Sequence, residues 1–219
     1  MAYGRKMKTP DELARAMHDL IQSHYYSEDF EMLSAVRAFH EELSLPERDE
    51  LKAIVMQRLL AEGSMVDILL CSVVPVPPAG PVLARKLDQE SVPSQLTRAL
   101  ITAVQEYPGD EAYRAVERFL DSDQEGEALA ALARLDFPRA LHHVARVLER
   151  PHLLGPVLHI LHTRAKGIGV PALGVELRAE SQRQRPAFRS GILRALVSKP
   201  ARFNPFAPEE LDRLQRMLA

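Results

Sequence analysis

Asp110-Glu-Ala-Tyr-Arg-Ala-Val-Glu-Arg-Phe-Leu120 and, after a polar break, Gln124-Glu-Gly-Glu-Ala-Leu-Ala-Ala-Leu-Ala-Arg-Leu135 decide the fold. Each places apolar or small residues three and four apart, the period of a helix with one buried face. The pair is then written again, as Pro138 to Leu148 with Leu153 to Arg164. It begins a third time at Val170 to Leu177, whose partner runs from Ala187 to Ser198 after a break at Glu180 to Pro186. The segments Val82–Leu87, Ala115–Leu120, His143–Leu148 and Ala172–Leu177 superpose, with their last leucines 33, 28 and 29 residues apart. Thr97–Leu100, Leu129–Leu132, Leu158–Leu161 and Leu193–Leu196 follow as the partner helices. A period of about 30 with two helices and no strand pattern predicts stacked pairs, each completed by its neighbours because none can cover its own apolar face.

Three repeat types have helical pairs at nearby periods. Tetratricopeptide units need a Trp, and the chain has none; ankyrin units need Thr-Pro-Leu-His, which is absent. EGEALAALARLDFPRALHHVARVLER, Glu125 to Arg150, resembles the short HEAT-like repeat of the phycobilisome-lyase type. It has a run of small and leucine positions, then an Asp, a Pro and a second helix ending in leucines. The resemblance covers roughly residues 80 to 198. It implies an all-α fold, a right-handed α-α superhelix or HEAT-like solenoid of about six helical hairpins. These repeats share no catalytic motif, so the resemblance implies a fold and no activity.

Outward from the repeats, the chain reads as one solenoid domain over residues 1–219. Residues 1–62 are expected to form acidic capping helices, 64–198 the repeats and 199–219 a C-terminal cap. Thr9-Pro-Asp-Glu12 is a helix start with a capping-box pattern, followed by Leu13, Met17, Leu20 and Ile21 on one face. A second helix is expected from Ser27, with Phe30, Leu33, Val36 and Phe39 buried. A third is expected from Pro46 to Leu60, closed by Gly63. Ser122-Asp-Gln-Glu125 is a second capping-box pattern.

Met1 to Lys8 is basic, but no apolar stretch follows it, so no secretory signal is expected. Ile68 to Ala84 has no charged residue, yet the prolines at 75, 77, 78 and 81 defeat a membrane span. A short buried helix from Ser64 to Val74 and an extended proline loop are expected instead. Phe203 and Phe206 are expected to fold back over the open C-terminal end, and Pro208-Glu-Glu to open the last helix.

The sequence offers little chemistry. Gly-x-Ser-x-Gly, phosphate-loop and dinucleotide patterns are all missing, which excludes the commonest hydrolase and nucleotide sites. Histidines 142, 143, 152, 159 and 162 crowd into one repeat, and His159 and His162 share a helix face, the beginning of a metal site if His143 joined them. No carboxylate or cysteine stands at ligand spacing, so neither a metal nor another cofactor is expected. The single cysteine, Cys71, lies in an apolar run and reads as a small buried hydrophobe. It rules out an internal disulfide, so a reducing cytoplasm is the expectation.

Charge is the informative feature. Residues 1–132 carry 13 Lys and Arg against 23 Asp and Glu, whereas residues 133–219 carry 15 against 7. In the basic part Arg178, Arg183, Arg185, Arg189 and Arg194 fall within one repeat. By the resemblance, the second helix of each pair lines the concave side, and guanidinium forks there would take carboxylates or phosphates.

The expectation is a non-enzymatic adaptor or scaffold that binds a protein with an acidic surface through these arginines, of a bacterial immunity or regulatory kind. Two other functions compete by resemblance: a nucleic-acid-binding protein like the HEAT-like DNA glycosylases, and a tetrapyrrole-lyase-like chaperone. An isoelectric point near 6.5 and the absence of Trp speak against the first.

Overall fold

The computed structural model describes residues 12, 15, 37, 38, 40–61, 63–89, 94–184, 186–200 and 203–218. The Thr9 cap, the first helix and nearly all of the second lie outside the described residues, as does Arg185. The described residues form eleven α-helices and no strand, so the chain is all-α. In order these are α1 (Leu45–Ala61), α2 (Met65–Val73), α3 (Ala79–Leu87), α4 (Ser94–Val104), α5 (Asp110–Glu117), α6 (Glu125–Leu135), α7 (Phe137–Val147), α8 (Leu154–Ile168), α9 (Val170–Arg183), α10 (Pro186–Leu196) and α11 (Pro208–Leu218). None of these helices is long and apolar enough to cross a membrane. The chain divides into two compact units, residues 1–116 and 117–219.

In the first unit, α1 buries Leu51, Val55 and Leu59, a stripe at four-residue spacing, and packs on α2 and α3. Almost every residue of α2 is buried, as a helix apolar on all sides but for Asp67 and Ser72 requires inside a core. Ser64 caps it: its hydroxyl accepts the Asp67 N–H at 3.3 Å, and the Asp67 carboxylate accepts the Ser64 N–H at 3.1 Å. Cys71 is fully buried on this helix. Before it, Gly63 stands at φ +61° and donates to the Arg58 carbonyl, closing α1 where a side chain would be strained.

The proline-rich stretch departs from expectation. The connection between α2 and α3 is only Val74–Pro78, and Pro81 sits inside α3 rather than in a loop. It is tolerated because it occupies the first turn, where an N–H would have no helical partner.

In the second unit, two helix joints are one residue long. Asp136 ends α6 by donating its N–H to Leu132 and starts α7 by accepting the Arg139 N–H on its side chain at 3.2 Å, with Pro138 in the first turn. Gly169 joins α8 to α9 through its backbone alone, donating its N–H to Ala165 and accepting the Leu173 N–H at φ +86°, a conformation that side chains resist, with Pro171 following. Of the helices consecutive in this unit, α6 with α7 and α8 with α9 pack most closely, one helix out of phase with the pairing read from the repeats. α6, α8 and α10 touch in succession, and α11 lies on α9 and α10.

Other boundaries also move. The first repeat helix stops at Glu117 rather than Leu120, and turns through residues 118–124 carry the chain into α6. The Ser122–Glu125 capping box does not form. Ser122 Oγ accepts the Gln124 N–H and donates to the Phe119 carbonyl, while the Glu125 side chain goes to Arg150. At the C-terminal end Phe206 is buried against His162, edge to face at 5.2 Å, while Phe203 is 61% exposed.

Candidate functional site

Arg178 and Arg183 lie on α9, and Arg189 and Arg194 on α10. All four are exposed. Their usefulness for binding differs. Arg194 donates to the Leu148 carbonyl at 3.3 Å, so it closes the end of α7. Arg183 approaches the Glu180 carboxylate at 3.7 Å while its side chain stays 76% exposed. Arg178 makes no ion pair among the described residues. On each helix the two arginines are five residues apart, which turns the second away from the first by about 140°. They border the two helices instead of forming one row.

Glu180 is the buried anion beneath them, only 4% exposed. Gln184 Nε2 donates to it at 2.8 Å and also meets His142 Nδ1 at 2.7 Å, and His142 itself stands 3.4 Å from the carboxylate. His142 thus belongs to the support of α9.

The other histidines divide by environment. A carboxylate row, Glu117, Asp121 and Glu125, is spaced by fours and faces a basic row, His143, Arg146 and Arg150, spaced by three and four on and just beyond α7. His143 Nε2 lies 2.9 Å from Glu117, and Asp121 takes Arg150 at 3.2 Å and Arg146 at 3.7 Å. Glu125, 8% exposed, pairs closely with Arg150 and takes His152 at 3.7 Å.

Burial pulls His143 below the ordinary imidazole value, and Glu117 pulls it back up. The crevice among these side chains has no room for a water molecule, so the ladder fastens the stretch from Glu117 to Glu125 onto α7 and leaves no space for a ligand. Neither row was assigned this role from sequence. The matching four-residue and three-plus-four-residue spacings were the signal that pointed to it.

His159 is exposed, while His162 packs on Phe206. No group of three or more His, Cys, Asp or Glu side chains able to hold a metal occurs among the described residues.

The first unit contains a groove of about 380 Å³ between the α2–α3 and α4–α5 connections. Tyr107 fixes it: the hydroxyl donates to the Cys71 carbonyl at 2.7 Å and accepts the Val76 N–H at 3.2 Å. Burial pushes its pKa up to about 12. Gly80 lets the ring approach, since a Cβ there would stand 3.0 Å from the Tyr107 Cβ.

Comparison with protein-family models, with curated proteins and with solved structures returns no match for this chain, so its reading rests on its own residues.

Proposed function

We propose that this chain is a non-enzymatic adaptor, a HEAT-like α-solenoid of right-handed α-α superhelical form, that binds a protein partner with an acidic surface. The exposed arginines of α9 and α10, Arg178, Arg183 and Arg189 foremost, contact that partner in this reading. One observation carries it: forked cations cluster on neighbouring helices, and the nearest buried carboxylate, Glu180, is already held by Gln184 and flanked by His142. Arg178, Arg183 and Arg189 all remain exposed. Arg185 completes the set by sequence, and Arg194 contributes its charge while capping α7. The solenoid reading draws support from contacts that run between helices near in sequence, α6 to α8 to α10, as stacked repeats require.

The test is affinity capture from lysate with wild type beside an Arg178→Glu, Arg189→Glu double variant, which leaves the α7 cap at Arg194 intact. The reading expects one protein recovered by wild type and lost by the variant. Recovery of the same protein by both would refute the assigned surface. Salt-sensitive retention of duplex DNA in place of a protein would replace the adaptor reading.

A further inference from the structure

The groove of the first unit lies outside the basic region and has the opposite character. Pro75, Pro77, Pro81 and Pro108 give it apolar walls, with Tyr107 between them. Among the described residues, the charged side chains lining it are Glu106 and Glu111, and no Lys or Arg does. By sequence, residues 1–116 carry 12 Lys and Arg against 18 Asp and Glu.

We propose that this groove docks an extended segment of a partner protein bearing an arginine or lysine beside apolar residues. The long cationic side chain lays its aliphatic stem on the proline and tyrosine walls and brings its head to the carboxylates. The groove's volume of about 380 Å³ falls in the range of sites that take small ligands or a few side chains.

The walls are also prepared. Proline rings have fixed φ, and the Tyr107 hydroxyl is tied on one side to Cys71 and on the other to Val76. Little ordering is therefore left to occur when a segment arrives. Charge complementarity selects the occupant: an acidic segment, as proposed for the arginines of α9 and α10, is repelled here.

The test uses three fluorescently labelled, end-blocked hexapeptides, (Pro-Leu-Arg)2, (Pro-Leu-Gln)2 and (Pro-Leu-Glu)2, titrated into the full chain by anisotropy, with amide shifts followed by NMR. The arginine peptide is expected to bind saturably, shifting the Tyr107 and Gly109 amides, and the glutamate peptide not to bind. Glu111→Lys should weaken arginine-peptide binding by about ten-fold, as reversal of a partly solvated ion pair does. The isosteric Glu111→Gln should weaken it less and leave the melting curve unchanged, which keeps a folding defect from passing as lost binding.

Equal binding of all three peptides would overturn the proposal, as would indifference to both variants, shifts confined to other residues, or no binding at millimolar peptide. Concentration-dependent self-association that Glu111→Lys abolishes would assign the groove to a second copy, and likewise overturn it.

Discussion

Arg164 forks onto Glu176 across the Gly169 joint, Nε to Oε2 at 3.1 Å and Nη2 to Oε1 at 2.5 Å. The same guanidinium stands 5.0 Å from the centre of the Phe137 ring, so one side chain ties α8 to α9 and covers the start of α7. The hydrogen bonds to Glu176 hold its pKa above the ordinary arginine value.

Arg164→Lys should therefore destabilise, because an ammonium cannot reproduce the fork or lie flat on the ring. A loss of about 1 kcal/mol is expected for Lys and about 2 kcal/mol for Ala, read from urea midpoints. A lysine variant as stable as wild type would show that the fork contributes only its charge.

Gly191 permits the close approach of α10 to the end of α7. A Cβ there would stand 2.7 Å from both Cβ and Cδ1 of buried Leu148, which has nowhere to go. Gly191→Ala should cost about 1–3 kcal/mol by overpacking. Gly167, in α8, meets nothing within 4 Å, so Gly167→Ala should be neutral or stabilising by up to about 1 kcal/mol. Equal effects of the two substitutions on thermal melting would contradict this packing.

These two glycines mark what the sequence conveys and what it withholds. The stripes of α7, α8 and α10 were legible because Leu141, Val144, Leu158, Leu161, Ile192 and Leu196 repeat at helical spacing, which burial enforces locally. The repeat's phase was not legible. It is set by Asp136 and Gly169, and each of those acts as the last residue of one helix and the cap of the next.

The missing Ser122–Glu125 box has a similar cause. Arg150, 25 positions along, offers Glu125 a charged partner that a backbone N–H cannot match. The proline-walled groove depends on Tyr107 reaching a carbonyl 36 residues away, a contact without local signature. Of the five arginines, charge counting found the cluster, but only geometry separates Arg194, which caps a helix, from Arg178.

Tyr107→Phe should remove the link between Cys71 and Val76 and leave the Val76 N–H, on a buried residue, without its acceptor. The expected loss is about 1–3 kcal/mol. Wild type should also lose stability in alkali. The Tyr107 pKa of about 12 exceeds the ordinary 10, so the folded state keeps a proton that the unfolded chain releases, and stability falls as pH rises from 10 towards 12. Phenolate absorbance of wild type, compared with Tyr107→Phe, should show the Tyr107 hydroxyl ionising above pH 10. A native titration in which all five tyrosines ionise together near 10 would refute the buried hydroxyl.

Acid should act through histidine. Burial lowers the pKa of His40, His143 and His162 below 6.5, so the unfolded chain binds protons that the folded chain refuses. Their contribution is complete above 6.5 and is lost as pH falls through the folded values. Urea midpoints should decline from pH 7 to pH 5, and His143→Gln should flatten part of that slope. A midpoint independent of pH across this window would remove the histidines from the account.

The single-residue joints at Asp136 and Gly169 also set where this chain can change length. One residue added at either would turn the following helix by about 100° and swing its apolar stripe towards water. A gene of this design can therefore lengthen through the turns at 118–124 or around Asn204, while its joints admit no insertion, and Gly169, at φ +86°, resists substitution as well. A reporter or epitope spliced into the protein has the same few permissive addresses.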